Sequence, residues 1–352
     1  MKGLVLSGGF GTRLRPLTYS QQKQLIPVAN KPILFYALED LIEAGVKEIG
    51  IVVGPNKEQV KATVEKVEWD ATVHFIEQEQ PLGIAHAIKI SEDFLGADPF
   101  VLYLGDNILK EGIVDHVKEF EKSDYDSSIL LTPVENPQEF GIAELNDNND
   151  IVSIVEKPEH PTTDLAVIGV YLFRSKIFDA VKKIKFSKRN QLEITDSIQW
   201  LIDHNYTVKS ALVKNWWKDT GKPEDILQAN RLIIDTIKTR NKGKTSDSEI
   251  RGRVDIGKDT IVEKNSTVKG PVIIGEHCRI YNSYIGPYTS IGDHCEILNT
   301  EIEDSVVMEG AKIIDGGRIV DSLIGRGVHI LKKNGLPNGR KFVIGDNSEV
   351  CL

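Results

Sequence analysis

The chain has 352 residues, 40% apolar and 27% charged, and a net charge of -9 at pH 7. That length allows two domains and a large core, while the acidic balance argues against nucleic acid or an anionic membrane as a partner, because an acidic field repels polyanions. No apolar run approaches the roughly 18 residues that span a bilayer, and Met1-Lys2 leads straight into a core strand, so a cytoplasmic protein is expected.

The first element is a strand, Gly3–Leu6, that opens into Ser7-Gly8-Gly9-Phe10-Gly11-Thr12-Arg13-Leu14. Gly8, Gly9 and Gly11 let backbone N–H groups approach a ligand with no Cβ in the way. The implied ligand is an anion, most simply a phosphate, and Arg13 adds a guanidinium fork that matches phosphoryl oxygens. The turn is not the phosphate loop of ATPases, which needs Lys-Ser/Thr after its last glycine. Nor is it the dinucleotide fingerprint, which would need glycine at Leu14. Taken alone, such a turn serves architecture as often as function.

Strand and helix patterns then alternate over about 230 residues, which predicts an α/β domain with a mainly parallel sheet. Further strands are expected at Glu48–Val53, Thr72–Ile76, Pro99–Leu104, Ser128–Pro133, Ala166–Phe173 and Thr207–Lys214. The helices between them are expected at Pro32–Ala44, Lys57–Glu65, Ile84–Ser91 and Val114–Lys122, with a last one at Glu224–Thr239. Lys23, in Lys-Gln-Leu-Ile-Pro, falls near the mouth of the first strand, where a solvated surface lysine is the ordinary alternative. Asp106 follows the apolar strand Phe100–Leu104, and ligands of open α/β sheets bind beyond the carboxyl ends of strands. An aspartate there, beside a phosphate-binding turn, points to Mg²⁺, with a turn or N-cap aspartate as the alternative. Asp219, at the end of another strand, is a second candidate ligand.

The polar segment 239–250 reads as a linker between a catalytic domain at 1–240 and a second domain at 241–352. Beyond it the period changes. Aliphatic residues recur at Ile256, Val262, Val268, Ile274 and Ile280, then at Ile285, Ile291 and Ile297, then at Val307, Ile313 and Ile319. Small residues follow most of them four positions later: Thr260, Ser266, Val272, Cys278, Thr289, Cys295, Ala311 and Val328. This double register predicts a hexapeptide-repeat parallel β-helix of four to five coils, with aliphatics stacked inside and small residues at the corners. The three cysteines, Cys278, Cys295 and Cys351, have no Cys-x-x-Cys spacing, so neither a zinc site nor a disulfide framework is expected. Cys278 with Cys295, and His277 with His294, read as stacked repeats of one turn.

Five segments in order, Leu-Ser-Gly-Gly-Phe-Gly-Thr-Arg-Leu, Lys-Gln-Leu-Ile-Pro, Gly-Asp-Asn, Glu156-Lys157-Pro158 and Lys218-Asp219-Thr220-Gly221, resemble the sugar-1-phosphate nucleotidylyltransferases. Within that family the chain is most similar to the glucose-1-phosphate thymidylyltransferases of the long form, which end in a left-handed β-helix. The resemblance covers essentially the whole chain and implies a Rossmann-like nucleotidyltransferase fold. It places Leu6, Gly8, Gly9, Gly11, Thr12 and Arg13 around the nucleotide phosphates, with Lys23 nearby. Gln24, Gln78, Pro81 and Gly83 fall at the base. Asp106 and Asp219 match the Mg²⁺ ligands. Asn107, Gly141, Glu156, Val167 and Glu193 fall at the sugar phosphate, whose phosphate Lys157 would grip. Arg13, Lys23 and Lys157 are the catalytic set.

The implied reaction is in-line attack by glucose 1-phosphate on the α-phosphorus of dTTP, giving dTDP-glucose and pyrophosphate. Because the attacking phosphate is already a dianion, no general base is needed. UTP can satisfy the same glutamine amides and stays open as the nucleotide, as does assembly into a homo-oligomer. Two other readings are an acyltransferase built on the β-helix, with His294 or His329 as base, and a non-catalytic sugar-nucleotide-binding regulator. The helical tail of the short enzymes is replaced here by the β-helix, so their feedback inhibition and tetramer geometry do not carry over.

Overall fold

The strands β1 (Lys2–Ser7), β2 (Glu48–Val53), β3 (Thr72–Glu77) and β4 (Phe100–Leu104) alternate with the helices α1 (Ile33–Glu43), α2 (Lys57–Val64) and α3 (Ile84–Ile90) in a computed structural model that describes residues 1–332. β1 is apolar because both of its faces are covered: Leu4 packs into one core cluster and Val5 into the other. β2 and β4 flank β1, both parallel to it, and β3 extends the parallel run beyond β2. The order is thus β3-β2-β1-β4. The chain moves outward through β2 and β3, then returns to lay β4 on the far side of β1. Such a reversal opens a crevice at the carboxyl ends of its two strands, here β1 and β4.

The sheet continues in antiparallel fashion, and this half was only partly foreseen. A small strand β5 (Asn107–Leu109) follows β4 and pairs with a late strand, β11 (Trp217–Asp219), which brings Asp219 opposite Asn107. That ladder stands apart from the main sheet, which β6 (Ser127–Pro133), β7 (Gly141–Leu145), β8 (Ile151–Glu156), β9 (Leu165–Phe173) and β10 (Val208–Leu212) complete, β10 running parallel to β6. β9 runs antiparallel to β4 and carries both β6 and β7, while β8 closes a hairpin on β7. That hairpin turns on Asn146, whose Oδ1 accepts the main-chain N–H groups of Asn148 and Asp150, both at 2.9 Å. The hairpin, β5 and the helices Ile177–Lys183 and α4 (Ile194–Asp203) were not predicted, and of β11 only its end at Asp219 was. This first unit comprises Met1–Phe10, Gln21–Leu25 and Ile33–Asp219.

The second unit comprises Gly11–Ser20, Ile26–Pro32 and the described chain from Thr220 onward. Its helix α5 (Pro223–Ile234) starts on a proline, which has no N–H to leave unpaired. Asn230 of α5 is fully buried: it accepts from Ala29 N at 2.9 Å and from Ser290 Oγ at 3.0 Å, and donates to Tyr288 O at 3.0 Å.

The expected linker is not one. Residues 239–250 form strands of the first coil, Arg240–Asn241, Lys244–Thr245 and Ser248–Arg251, each paired in parallel with the coil that follows. Hydrophilic composition misled because a terminal coil has a neighbour on one side only. The hexad register itself holds. Ile256, Ile274, Ile291, Val307 and Ile324 stack along one face, and Val262, Ile280, Ile297, Ile313 and Ile330 along the next. Val268, Ile285, Ile302 and Ile319 line the third. This is the parallel coil consistent with the left-handed β-helix expected. Cys278 and Cys295 are free buried thiols at successive corners, and Cys351 lies outside the described residues. His277 and His294 stack outside the corner with ring centroids 5.0 Å apart.

No helix among the described residues is long and apolar enough to cross a membrane. Ile280→Ala, which empties a fully buried position, is expected to cost about 2–5 kcal/mol in urea unfolding. His294→Ala, at the exposed stack, should stay within about 0.5 kcal/mol of the parent.

Candidate active site

The crevice between β1 and β4 is formed by backbone that has no room for side chains. Gly105 N donates to Leu6 O at 3.0 Å, and a Cβ on Gly105 would lie 2.8 Å from that oxygen. A Cβ on Gly8 would lie 3.3 Å from Gln78 Oε1, and one on Gly54 would lie 2.7 Å from Gly8 O. Gly54, in the turn after β2, was not singled out from sequence, although Val-Gly-Pro marks a turn. Gly9 faces open space, with nothing within 4 Å of its Cβ position. Leu6 is half-buried beneath this turn.

The turn that carries Lys23 delivers it, nearly buried, between two carboxylates. Its Nζ lies 2.6 Å from Asp106 Oδ2 and 3.8 Å from Asp219 Oδ1. Asp106 stands one residue past Gly105, and Asp219 is brought up by the β5–β11 ladder. Asn107 fixes the arrangement. Its Nδ2 donates to Asp106 Oδ1 at 2.8 Å, while its Oδ1 accepts from Gly169 N at 3.2 Å and Trp217 Nε1 at 2.6 Å. Asn107 therefore serves the carboxylate from behind, tied to β9 and β11. Gly169 must be glycine for this approach, since its Cβ would lie 2.8 Å from Asn107 Cγ. Burial alone would raise the Asp106 carboxyl. The charge and hydrogen bond of Lys23, with the Asn107 amide, outweigh it and hold the pKa below the ordinary carboxylate value.

Gln24 and Gln78 are almost wholly buried, with 3% and 7% of their surface exposed, so each can present one amide edge and little more. Gln78 Nε2 lies 3.3 Å from Gly83 O. Gly83 takes φ +108°, and a Cβ there would meet Leu192 O at 2.4 Å. Pro81 is exposed in the same loop.

A second polar group lies at the open ends of β7, β8 and α4. A Cβ on Gly141 would lie 2.8 Å from Thr195 Cγ2, 3.3 Å from Glu156 Oε2 and 3.8 Å from Val167 Cβ, which places these four residues around one space. Arg189 bridges Glu156 and Glu193, with Nη2 at 2.9 Å and 2.8 Å from their carboxylates. Glu193 also accepts from Ser187 Oγ at 2.7 Å. Burial pushes the Glu156 carboxyl above its ordinary value; the Arg189 charge opposes that shift and the Glu193 charge adds to it. Arg189 and Thr195 were not picked from the sequence, because neither stands out in Ser-Lys-Arg-Asn-Gln-Leu-Glu-Ile-Thr. Lys157 is exposed just past β8, in the left-handed region at φ 45°, held by its N–H to Phe140 O at 3.0 Å. A lysine in that region is uncommon and marks a backbone imposed by its surroundings.

Gly11, Thr12 and Arg13 fall in the second unit. There Gly11 takes φ 60°, Thr12–Leu14 form a short 3-10 turn with Arg13 exposed, and Thr18 Oγ1 donates to Gly11 O at 2.7 Å.

A model of the nucleotidyl transferase family matches residues 2–236. This chain belongs to that family. It is 46% identical over 357 residues, covering 100% of both chains, to the low-salt glycan biosynthesis nucleotidyltransferase Agl11 of Haloferax volcanii. It is 45% identical over 354 residues, covering 100% of this chain and 99% of the relative, to the glucose-1-phosphate thymidylyltransferase of Streptomyces griseus. A crystal structure from Bacillus anthracis, described as a glucose-1-phosphate thymidylyltransferase in complex with sucrose, superposes with a TM-score of 0.63 at 34% identity. It covers 68% of this chain and 98% of its own. The chain is therefore a nucleotidyltransferase of the sugar-1-phosphate class.

The Lys23 contacts give this nucleotidyltransferase a titration signature. Because the folded pKa of Asp106 is depressed, its contribution to stability is present at neutral pH and lost as pH falls through the lowered value. In Lys23→Met the burial remains without its cation. Asp106 should then titrate at a higher pH than in the parent by carboxyl-carbon NMR, and an unchanged or lower midpoint would contradict the assigned pairing.

Proposed function

We propose that the enzyme transfers the thymidylyl group of dTTP to glucose 1-phosphate with Mg²⁺, giving dTDP-glucose and pyrophosphate. The observation that carries this reading is the convergence of Lys23, Asp106 and Asp219 beside the glycine turn of β1. The two carboxylates offer oxygen ligands only and already face one cationic group. That fits a hard divalent ion which takes few protein ligands and fills its shell from water and phosphate. Asp106 and Asp219 would hold the ion, which when bound supplies positive charge against the triphosphate.

The chain's own groups do the rest by position and charge. Backbone N–H groups at Gly8 and Gly9 face the nucleotide phosphates, and Lys23 neutralises their charge from the side of Asp106. Arg13 is assigned, on the family resemblance, to the departing pyrophosphate. On the sugar side, Glu156 and Glu193 accept hydrogen bonds from hydroxyls of the glucosyl ring across the space beside Gly141 and Val167. Lys157 holds the attacking phosphate, whose oxygen displaces pyrophosphate in line. Nucleoside triphosphate as substrate also places the reaction in the cytoplasm.

Support from relatives is of the same kind, since the Streptomyces griseus protein is named for glucose 1-phosphate and thymidylyl transfer. Asp106→Asn and Arg13→Ala should each lower turnover by about 10² to 10³ with the unfolding transition retained. Near-parental turnover in both would remove the assignment. Pyrophosphate release across five nucleoside triphosphates and glucose, galactose and N-acetylglucosamine 1-phosphates should peak at dTTP with glucose 1-phosphate. A peak elsewhere would reassign the substrates.

A further inference from the structure

A carboxamide can face either way, so a glutamine reads a base only if something fixes which end is which. For Gln78 that something is the loop it closes. One end of its amide lies 3.3 Å from Gly83 O and 3.0 Å from His86 Nδ1. The end that faces a main-chain carbonyl must be the NH₂ group. His86 Nδ1, close to that same nitrogen, must then be an acceptor, which makes His86 neutral with its proton on Nε2. Burial, with the Lys89 charge, holds the His86 pKa below its ordinary value, in keeping with that state. The Gly83 carbonyl is held by Ala87 N, which donates to it at 3.3 Å, and the loop around it by Leu192 N to Leu82 O at 2.8 Å and Ala85 N to Leu192 O at 3.2 Å. Gln78 therefore turns Oε1 toward Gly8, an acceptor edge beside the glycine turn.

The same logic runs through Gln22 to Gln24. Gln22 Nε2 lies 2.9 Å from both Ser7 O and Gly9 O, so it too must be the NH₂ end. Its two hydrogens are shared among these oxygens and Gln24 Oε1 at 2.8 Å, and because an amide nitrogen cannot accept, the end of Gln24 that faces it must be the carbonyl oxygen. Gln22 is itself anchored: its Oε1 accepts from Asn56 Nδ2 at 3.2 Å, and its N–H donates to Gln59 Oε1 at 3.0 Å. Gln24 is left with its donor end, Nε2, turned away from Gln22.

We propose that Gln22 and His86 are positioning residues that set the polarity of the base-reading pair, Gln24 as donor and Gln78 as acceptor. A donor and an acceptor together match the imide edge of thymine or uracil, which offers N–H beside C=O. They mismatch cytosine, which offers a bare ring nitrogen beside an amino group. This rests on the pyrimidine-nucleotide reading above and adds what enforces it. Discrimination arises because the wrong base leaves buried polar groups unpaired.

The test compares the full chain with Gln22→Met, His86→Leu and His86→Asn, whose Oδ1 can replace Nδ1 as acceptor. kcat and KM are measured for dTTP, UTP and CTP with glucose 1-phosphate, together with thermal unfolding. In the Met and Leu variants the preference for dTTP and UTP over CTP should fall about 10- to 100-fold. In His86→Leu the loss should lie in KM, with kcat within about threefold, and His86→Asn should recover most of it. Should His86→Leu fail to fold, Gln22→Met and His86→Asn decide the matter. Preference within about twofold of the parent in every folded variant, or a loss confined to kcat, overturns the inference while leaving the nucleotide reading intact. A parent that uses neither dTTP nor UTP overturns both.

Discussion

Everything assigned to the first unit's chemistry depends on one charge arrangement, the Lys23 ammonium between Asp106 and Asp219. Two carboxylates gathered at one place repel each other and lose hydration, and only a cation with good geometry offsets both costs. The fold supplies that geometry from three remote stretches of chain. The β1–β4 reversal sets the place, the close approach of Gly105 to Leu6 sets Asp106, and the β5–β11 ladder sets Asp219. Asn107, with both ends of its amide engaged, ties Asp106 to Gly169 of β9 and Trp217 of β11 from beneath. Catalysis of phosphoryl transfer needs little covalent help from a protein, so a rigid distribution of charge is most of what an enzyme of this class must provide.

In the parallel half, β1, β2 and β4 were legible because they are buried on both faces and read as apolar runs, and the edge strand β3 because Thr72–Phe75 alternate between exposed and half-buried. Beyond it β6, β9 and β10 were also expected, but the β7–β8 hairpin was not. β7 and β8 are short; β7 is buried and then half-buried without alternating, β8 is partly exposed, and neither stands out from loop until the Asn146–Asp150 turn is seen to fold one onto the other. The hairpin matters because it carries Gly141 and Glu156. The glycine turn was legible as an anion site but silent about which contacts it needs: Gly8 makes room for Gln78, and Gly54 makes room for Gly8. Arg189 was invisible for a different reason. Its partners Glu156 and Glu193 lie 33 and 4 residues away, and only the tertiary fold makes the three meet.

The hexad period was read nearly residue for residue, because a β-helix repeats one environment and each aliphatic column confirms the next. It failed at the first coil, where Asn241 and Thr245 stand in register with Ile256 and Val262, only Ile250 keeps an aliphatic, and composition looks like a tether. The stacked His277 and His294 show the limit of reading chemistry from repetition: two exposed imidazoles in register follow from the coil alone.

The central claim is that the charges around Lys23 serve attack by a sugar phosphate on the α-phosphorus of a nucleoside triphosphate. The direct measurement uses glucose 1-phosphate carrying ¹⁸O in its phosphate, with ³¹P NMR of the products formed from dTTP. The account predicts ¹⁸O in the bridge of dTDP-glucose and none in pyrophosphate. Label in the pyrophosphate, or a product whose bridging oxygen came from the nucleotide, would contradict it.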